Sequence, residues 1–256
     1  MLVLYFALVL FSLCPCDASQ EAVDICGLSY TWFNSVDISA TVSKKGFHRE
    51  LLYKVRHVPT PHFLKALLIQ RMPKGVYMDQ YELASMREDT GLQVFLDSSV
   101  HLEDPSYMST CFTALIYLSP ANGHPGLLEA VVPFHGRYHR PSDSGGWEIV
   151  TIKQPKLLLF PESSGEKLTP SEPHHIVKAP CTVHNQSLCS WLEIKGLQDP
   201  YLVTLQIPVG NFSLTLLVCA GTMLTSLLCC ALLFRIIWTH GITRNSGRQP
   251  KNVRFS

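Results

Sequence analysis

The chain has 256 residues, of which 46% are hydrophobic and 16% are charged, and its formal net charge is +1. This composition excludes a chain that is disordered throughout. The residues before the basic C-terminal tail contain no basic cluster of the kind that binds nucleic acid. All 20 acidic residues lie at or before Asp199, whereas five of the 21 basic residues follow it. This uneven distribution of charge bears on the orientation of the chain in a membrane, because basic segments next to a membrane helix tend to lie in the cytoplasm.

The first 13 residues are apolar and uncharged, and small residues with a proline follow at 14–18. A hydrocarbon core of about 30 Å requires about 20 helical residues, so this stretch is too short to cross it. The pattern is typical of a secretory signal peptide, and we predict that residues 1–18 are removed by cleavage after Ala18. An uncleaved anchor and a wrongly assigned start are the alternatives.

Residues 19–208 are predicted to form the folded domain. Their apolar runs are short and mostly bracketed by proline or glycine, which is typical of strands. Apolar and polar residues alternate at 51–55, as in a half-buried strand. Further strands are predicted at residues 112–118, 127–132, 147–152, 157–160 and 202–207. With a single predicted helix at 79–88, the pattern favours a mainly β fold, an antiparallel β-sandwich-like domain.

Residues 212–234 form a run of 23 uncharged residues. At 1.5 Å per residue the run reaches roughly 35 Å, enough to cross a bilayer as a single transmembrane helix. Arg235 and Trp238 follow as interfacial anchors. Because residues 235–256 are basic and contain no acid, the positive-inside rule places this tail in the cytoplasm. We predict a single-pass type I protein whose β domain lies on the luminal side.

Four of the nine cysteines lie in the predicted domain, namely Cys26, Cys111, Cys181 and Cys189. Four cysteines allow three pairings, and an oxidising lumen favours disulfides over a zinc site because no CxxC spacing occurs. We favour Cys181 with Cys189, whose loop closure contributes about 2.5 kcal/mol, and Cys26 with Cys111 at about 4.5 kcal/mol. Free thiols are the alternative.

The chain contains no Gly-x-Ser-x-Gly elbow, phosphate-binding loop or His-Glu-x-x-His motif. His135 and His139 are four residues apart, but Pro133 and Pro141 flank them and disfavour the helix that this spacing would require. We therefore predict no catalytic, cofactor-binding or metal-binding residue.

Two sequons lie before the predicted transmembrane helix, at Asn185 and at Asn211. We expect glycosylation at Asn185 alone, because Asn211 is at the membrane boundary. Within the helix, Gly221, Thr225 and Cys229 recur at a spacing of four and share one face, where small side chains allow close helix packing. Such residues are also common in single membrane helices that have no partner.

Five segments carry a family resemblance: GFHRELL at 46–52, GVYMDQYELAS at 75–85, RYHRP at 137–141, Cys181 to Cys189-x-Trp191, and LQIPVG at 205–210. In their order, and in a final strand that runs into a lone membrane helix, they resemble PIG-X, the X subunit of glycosylphosphatidylinositol (GPI) mannosyltransferase I. The resemblance covers nearly all of the chain from Gly46 to the membrane helix.

The resemblance implies a non-catalytic role in the endoplasmic reticulum membrane. PIG-X-like proteins stabilise the polytopic catalytic subunit PIG-M, which adds the first mannose in GPI-anchor biosynthesis. No catalytic residue is implied for this chain. The motif Tyr138, His139, Arg140 and Pro141 is a candidate partner contact, although a strand end with a packed tyrosine and a paired arginine explains it equally well.

Two other classes share this topology. A type I cell-surface receptor or adhesion module would have the same signal, domain and membrane helix, and localisation to the plasma membrane would favour it. A membrane-anchored luminal hydrolase would need a nucleophile and base that no motif indicates.

Overall fold

The computed structural model describes residues 30–59, 64–143, 145–161, 175–184, 187–195, 197 and 202–246. Within these ranges the chain is mainly antiparallel β-structure followed by one long helix. The predicted signal peptide, Cys26, Asn185 and the last ten residues of the basic tail lie outside the described residues.

The described residues form twelve strands: β1 (Asp37–Ser43), β2 (His48–Arg56), β3 (Leu64–Met72), β4 (Val76–Tyr77), β5 (Gln93–Leu96), β6 (Phe112–Pro120), β7 (Leu127–Gly136), β8 (Gly146–Lys153), β9 (Lys156–Pro161), β10 (His175–Pro180), β11 (Leu188–Ile194) and β12 (Leu202–Val209). They also form the helices α1 (Tyr30–Phe33), α2 (Gln80–Thr90) and α3 (Thr215–Ser246), with a 3₁₀ turn at Phe212–Leu214. All six strands predicted from the sequence are present, in β2, β6, β7, β8, β9 and β12, and the predicted helix is α2.

Ten strands follow the order β1-β2-β7-β6-β3-β9-β11-β10, with β4 on β7 and β5 on β6. β6 and β7 pair only beside their connecting turn, where Ser119 lies opposite Glu129 and Pro120 opposite Leu128. The strands on either side of this hairpin therefore form two sheets that diverge from it. A shared apolar core lies between them, as the predicted sandwich-like fold requires. β8 and β12 form a separate two-stranded sheet.

The core is built from the inward positions of alternating strands. Leu51, Tyr53 and Val55 of β2 are fully buried, while the residues between them are half-buried. This is the period of two that the sequence shows at 51–55, because successive side chains of a strand point to opposite faces. Facing residues of the other sheet complete the core, among them Leu68, Met72, Ala114, Ile116, Leu157 and Leu159.

One polar pair crosses this core. The Tyr53 hydroxyl donates a hydrogen bond to Gln70 Oε1 at 2.8 Å, and Gln70 Nε2 donates to the carbonyls of Arg71 and Lys153 at 2.9 and 3.0 Å. Gln70 is 1% exposed. Since a buried polar group is costly unless it is hydrogen-bonded, these bonds link β2, β3 and the end of β8 in one arrangement.

The sheet that contains β3 and β9 is buried on both faces. Leu67 and Leu158 point away from the main core and form a second apolar cluster with Ala179 and Trp191. The Trp191 indole donates a hydrogen bond to the Ala179 carbonyl at 3.2 Å. The second cluster therefore joins side chains of β3 and β9 to those of the neighbouring β10–β11 hairpin within the same sheet.

Helix α2 has well-formed ends. The Asp79 side chain accepts a hydrogen bond from the Tyr81 backbone N–H at 2.8 Å, which satisfies a donor at the helix start. Gly91 ends the helix in the left-handed conformation with φ of 75°, and its N–H donates to the Arg87 carbonyl. Asp79, the first residue of the predicted helix, is thus its N-cap.

Helix α3 is fully exposed where its side chains are described, and Phe212–Thr239 is long and apolar enough to cross a membrane. The sequence predicted a span ending at residue 234, and the helix continues past Arg235 to Ser246. No proline interrupts the helix at Arg235, so a helix end there is not required by the backbone.

The described residues divide into two compact units, and each is described by itself. The first contains the residues up to Tyr138 and Ile149–Ile207; the second contains His139–Glu148 and the residues from Pro208 onward. Within the second unit, Ser142 N–H donates to the Gly210 carbonyl at 3.0 Å, and Phe212 N–H donates to the Ser142 carbonyl at 2.8 Å. The segment 139–148 is therefore bonded to the start of the membrane helix.

Because of Tyr117, the stability of the second apolar cluster should depend on pH in the alkaline range. Its hydroxyl donates a hydrogen bond to the Pro180 carbonyl at 2.9 Å, and burial raises the pKa of Tyr117 from 10.0 to about 12. The folded chain keeps this proton where the unfolded chain releases it. The stabilisation is therefore complete below pH 10 and lost as the pH rises towards 12.

We predict that the free energy of unfolding falls less steeply across this alkaline window in Tyr117→Phe than in the wild type. Thermal unfolding of the full chain in detergent, followed by tryptophan fluorescence over a pH series, measures the difference. The matched control is Tyr81→Phe, because Tyr81 is 81% exposed, and its pH profile should follow the wild type. Parallel profiles for wild type and Tyr117→Phe would contradict the assignment.

Candidate functional site

Three of the segments that carry the family resemblance, residues 46–52, 75–85 and 137–141, meet at the end of β7. Here β7 lies between two strands: His135 is opposite His48 of β2 and opposite Tyr77 of β4. Directly opposed residues of antiparallel strands place their side chains on the same face. Tyr77, His135 and His48 therefore form one row of rings.

Helix α2 places a carboxylate over this row. Glu82 lies in the first turn of α2, and its Oε2 is 2.9 Å from His135 Nε2. Its Oε1 is 3.8 Å from His48 Nδ1. The ligand atoms of the three residues all lie within 4.8 Å of one another, so two imidazoles share one carboxylate.

The rings are stacked in sequence along the row. The His48 and His135 centroids are 4.8 Å apart, and His135 lies on Tyr77 at 5.0 Å with an interplanar angle of 18°. The Arg137 guanidinium lies 4.8 Å from the Tyr77 ring centroid. The orientation of the His135 ring is thus set by a stack that ends on a cation.

Arg137 is 4% exposed, which is unusual for an arginine. Its Nη1 donates to the backbone carbonyls of Asp104 at 2.5 Å and Leu102 at 3.4 Å. Burial lowers the pKa of Arg137, and the charge of Asp104 opposes that shift. Burial also raises the pKa of Tyr77, against the effect of the neighbouring Arg137 charge.

The residues of the RYHRP motif differ in their exposure to solvent. Arg137 is buried, whereas Tyr138 is 73% exposed and its ring contacts Phe47 at a centroid distance of 5.0 Å. Arg140 and Pro141 are exposed and His139 is half-buried in the second unit. The predicted partner-contact residues Tyr138, Arg140 and Pro141 are thus at the surface.

On helix α3, Gly221, Thr225 and Cys229 are exposed, as a contact face requires. The Thr225 hydroxyl, however, donates within the helix, to the carbonyls of Gly221 at 3.1 Å and Thr222 at 2.9 Å. A β-carbon added at Gly221 would meet no atom within 4 Å. The face is therefore suited to close packing more than to donation of a hydrogen bond by Thr225.

The structure contains a disulfide bond between Cys181 and Cys189, the pair that the sequence favours. The bond lies beside the β10–β11 hairpin, where Ala179 is opposite Cys189. Cys111 is exposed and forms no disulfide with a described residue. Because Cys26 lies outside the described ranges, its pairing with Cys111 stays a prediction.

The PIG-X / PBN1 family matches residues 44–238, which include all three converging segments and most of α3. The chain belongs to this family. A Homo sapiens protein named "GPI alpha-1,4-mannosyltransferase I, stabilizing subunit" is 35% identical over 204 residues, 78% of this chain and 79% of the human one. Proteins of the same name from Rattus norvegicus and Mus musculus are each 34% identical over 205 residues, 77% of this chain and 80% and 79% of their own. No solved structure matches the chain.

The resemblance to PIG-X indicated the chain segments that meet at this site, but it did not indicate which residues of those segments lie together. Histidine spacing directed attention to His135 with His139, whereas the structure places His135 with His48 and Glu82. These three are brought together by strand pairing and by α2 across separations that no local motif can show. The sequence analysis included Arg137 only as the first residue of the RYHRP motif and did not predict that its side chain is buried.

We predict that Arg137→Lys lowers the free energy of unfolding by about 1–3 kcal/mol, because an ammonium cannot reproduce both carbonyl bonds and the contact with Tyr77. Thermal unfolding of the full chain in detergent measures the change. Arg71→Lys is the matched control, since Arg71 is exposed on β3, and it should shift stability by less than about 0.5 kcal/mol. Equal effects of the two substitutions would show that Arg137 does not hold this region.

Proposed function

We propose that the chain is the stabilising, non-catalytic subunit of a GPI α-1,4-mannosyltransferase I complex. The observation that carries the proposal is the 35% identity to a human protein of that name across 78% of this chain. The family match runs from residue 44 to residue 238 and thus covers the β-structure except β1, and most of α3. This extent supports the proposal that the chain shares the role of the named relatives.

The finer proposal is that the partner is the polytopic subunit PIG-M, which adds the first mannose of the GPI anchor. We place the complex in the endoplasmic reticulum membrane, with the β domain in the lumen and the basic tail in the cytoplasm. The distribution of charge supports this orientation, because five basic residues and no acidic residue follow Asp199.

Stabilisation by a subunit has a simple physical basis. A protein that binds only the native state of its partner shifts the partner's folding equilibrium by mass action. We propose two contact regions: the exposed residues of the Tyr138–Pro141 motif, and the face of α3 formed by Gly221, Thr225 and Cys229. In lipid, small residues favour association because they let helix backbones approach closely.

Deletion of the gene should lower the abundance of PIG-M and of GPI-anchored proteins at the cell surface. The reason is that the unbound partner spends more time unfolded and is degraded. Immunoblotting of the partner and flow cytometry of a surface GPI-anchored protein measure the two effects, and re-expression of the wild-type chain should restore both.

Two results would contradict the proposal in different ways. Normal partner abundance with lost mannosylation would indicate that the chain takes a direct part in the chemistry. Normal levels of both readouts would exclude this function, and residence of the tagged chain at the plasma membrane would then favour a receptor or adhesion module.

Gly221→Leu should reduce recovery of the partner after purification from detergent, because the larger side chain prevents close helix approach while it preserves hydrophobicity. The added atoms meet nothing within the chain itself. The matched control is Ala220→Leu, which lies about 140° around the helix from the middle of the face and should leave recovery unchanged. Equal recovery of the two variants would mean that this face is not an interface.

We expect a single N-glycan, at Asn185. The Asn211 side chain accepts a hydrogen bond from the Ser213 backbone N–H at 2.9 Å and so caps the turn that enters the membrane helix. An endoglycosidase H shift should disappear in Asn185→Gln and persist in Asn211→Gln. A shift that depends on Asn211 instead would overturn both the glycan assignment and the position of the membrane boundary.

A further inference from the structure

We propose that His48, Glu82 and His135 form a binding site for a divalent transition-metal ion, for which Zn²⁺ is the natural candidate. The site is separate from the contact regions proposed above, and nothing in the proposed function requires it. Among the residues that the structure describes, these three are the group of histidine, cysteine and acidic side chains whose ligand atoms come this close together.

The distances fit a metal with small side-chain movements. Zinc binds imidazole nitrogen and carboxylate oxygen at about 2.1 Å, which separates neighbouring ligands of a tetrahedral ion by about 3.4 Å. The distances from Glu82 Oε2 to His135 Nε2, 2.9 Å, and from Glu82 Oε1 to His48 Nδ1, 3.8 Å, lie on either side of that value. All the ligand atoms lie within 4.8 Å of one another. Entry of the ion requires the Glu82–His135 pair to open slightly and His48 to approach.

Two of the three ligands are held in position before any ion binds. His135 is fixed in its sheet position and stacked on Tyr77, which in turn lies against the Arg137 guanidinium. Glu82 lies in the first turn of a helix capped by Asp79. The His48 side chain is 43% exposed, so it is the ligand with room to turn. These contacts restrict the movement of His135 and Glu82 before an ion binds.

The ligand set selects the class of ion. Imidazole suits zinc, copper, iron and nickel, whereas calcium and magnesium take oxygen ligands. Two histidines and one carboxylate satisfy three positions of a tetrahedral ion and leave the fourth for water. Because the ligands come from β2, α2 and β7, the ion would join the helix to two strands of the sheet.

The test uses the full chain in detergent, purified without a histidine tag, stripped with a chelator and dialysed against buffered Zn²⁺. We expect one ion per chain by elemental analysis and a higher temperature of unfolding in its presence. Glu82→Gln keeps the size and the helix position of the side chain but removes its charge, and it should weaken zinc binding at least about tenfold. His48→Gln and His135→Gln should do the same.

Two variants serve as matched controls. His124→Gln alters an exposed histidine whose Nδ1 donates a hydrogen bond to the Asn122 carbonyl at 3.0 Å, and Glu88→Gln alters an exposed carboxylate of helix α2. Both should bind zinc as the wild type does. The proposal is overturned if the wild type binds no zinc at micromolar free concentration. It is equally overturned if Glu82→Gln, folded by its unfolding temperature, binds zinc as tightly as the wild type.

Discussion

The buried guanidinium of Arg137 is the group around which one end of the sheet is arranged. A charged side chain that leaves water is costly unless it is hydrogen-bonded. Nη1 of Arg137 donates to the Asp104 and Leu102 carbonyls, whereas its buried Nε has no hydrogen-bond partner among the described residues. Its charge also lies against Tyr77, on which His135 is stacked. The segment that supplies the carbonyls, β4 and the end of β7 are consequently held in one arrangement, and the histidine pair depends on it.

Much of the fold could be predicted because most strands have one buried face. β2 alternates buried and half-buried residues, and that period is visible at 51–55. β3 was not predicted, since Ala66, Leu67 and Leu68 are all buried and the strand therefore shows no alternation. β1 was missed for the opposite reason: it is an edge strand with few buried side chains. The short strands β4 and β5, and the hairpin of β10 and β11, also lacked a sufficient pattern.

The site was less predictable than the fold, because strand pairing decides which residues meet. His48 and His135 face each other only in the register that pairs β2 with β7, and a shift of one residue would place them on opposite faces. Glu82 reaches them because Asp79 determines where α2 begins. Sequence resemblance identified the segments without their geometry. Local spacing offered only His139 as a neighbour for His135, a pair that the flanking prolines disfavour.

The backbone bonds between Ser142 and the residues at Gly210 and Phe212 have a consequence for the membrane helix. Within their compact unit they determine the azimuth of α3, meaning the direction around its axis in which each face points. Every residue between Leu214 and Gly221 contributes about 100° to that direction. The length of this junction, more than its chemistry, therefore determines the direction in which the small-residue face of α3 points.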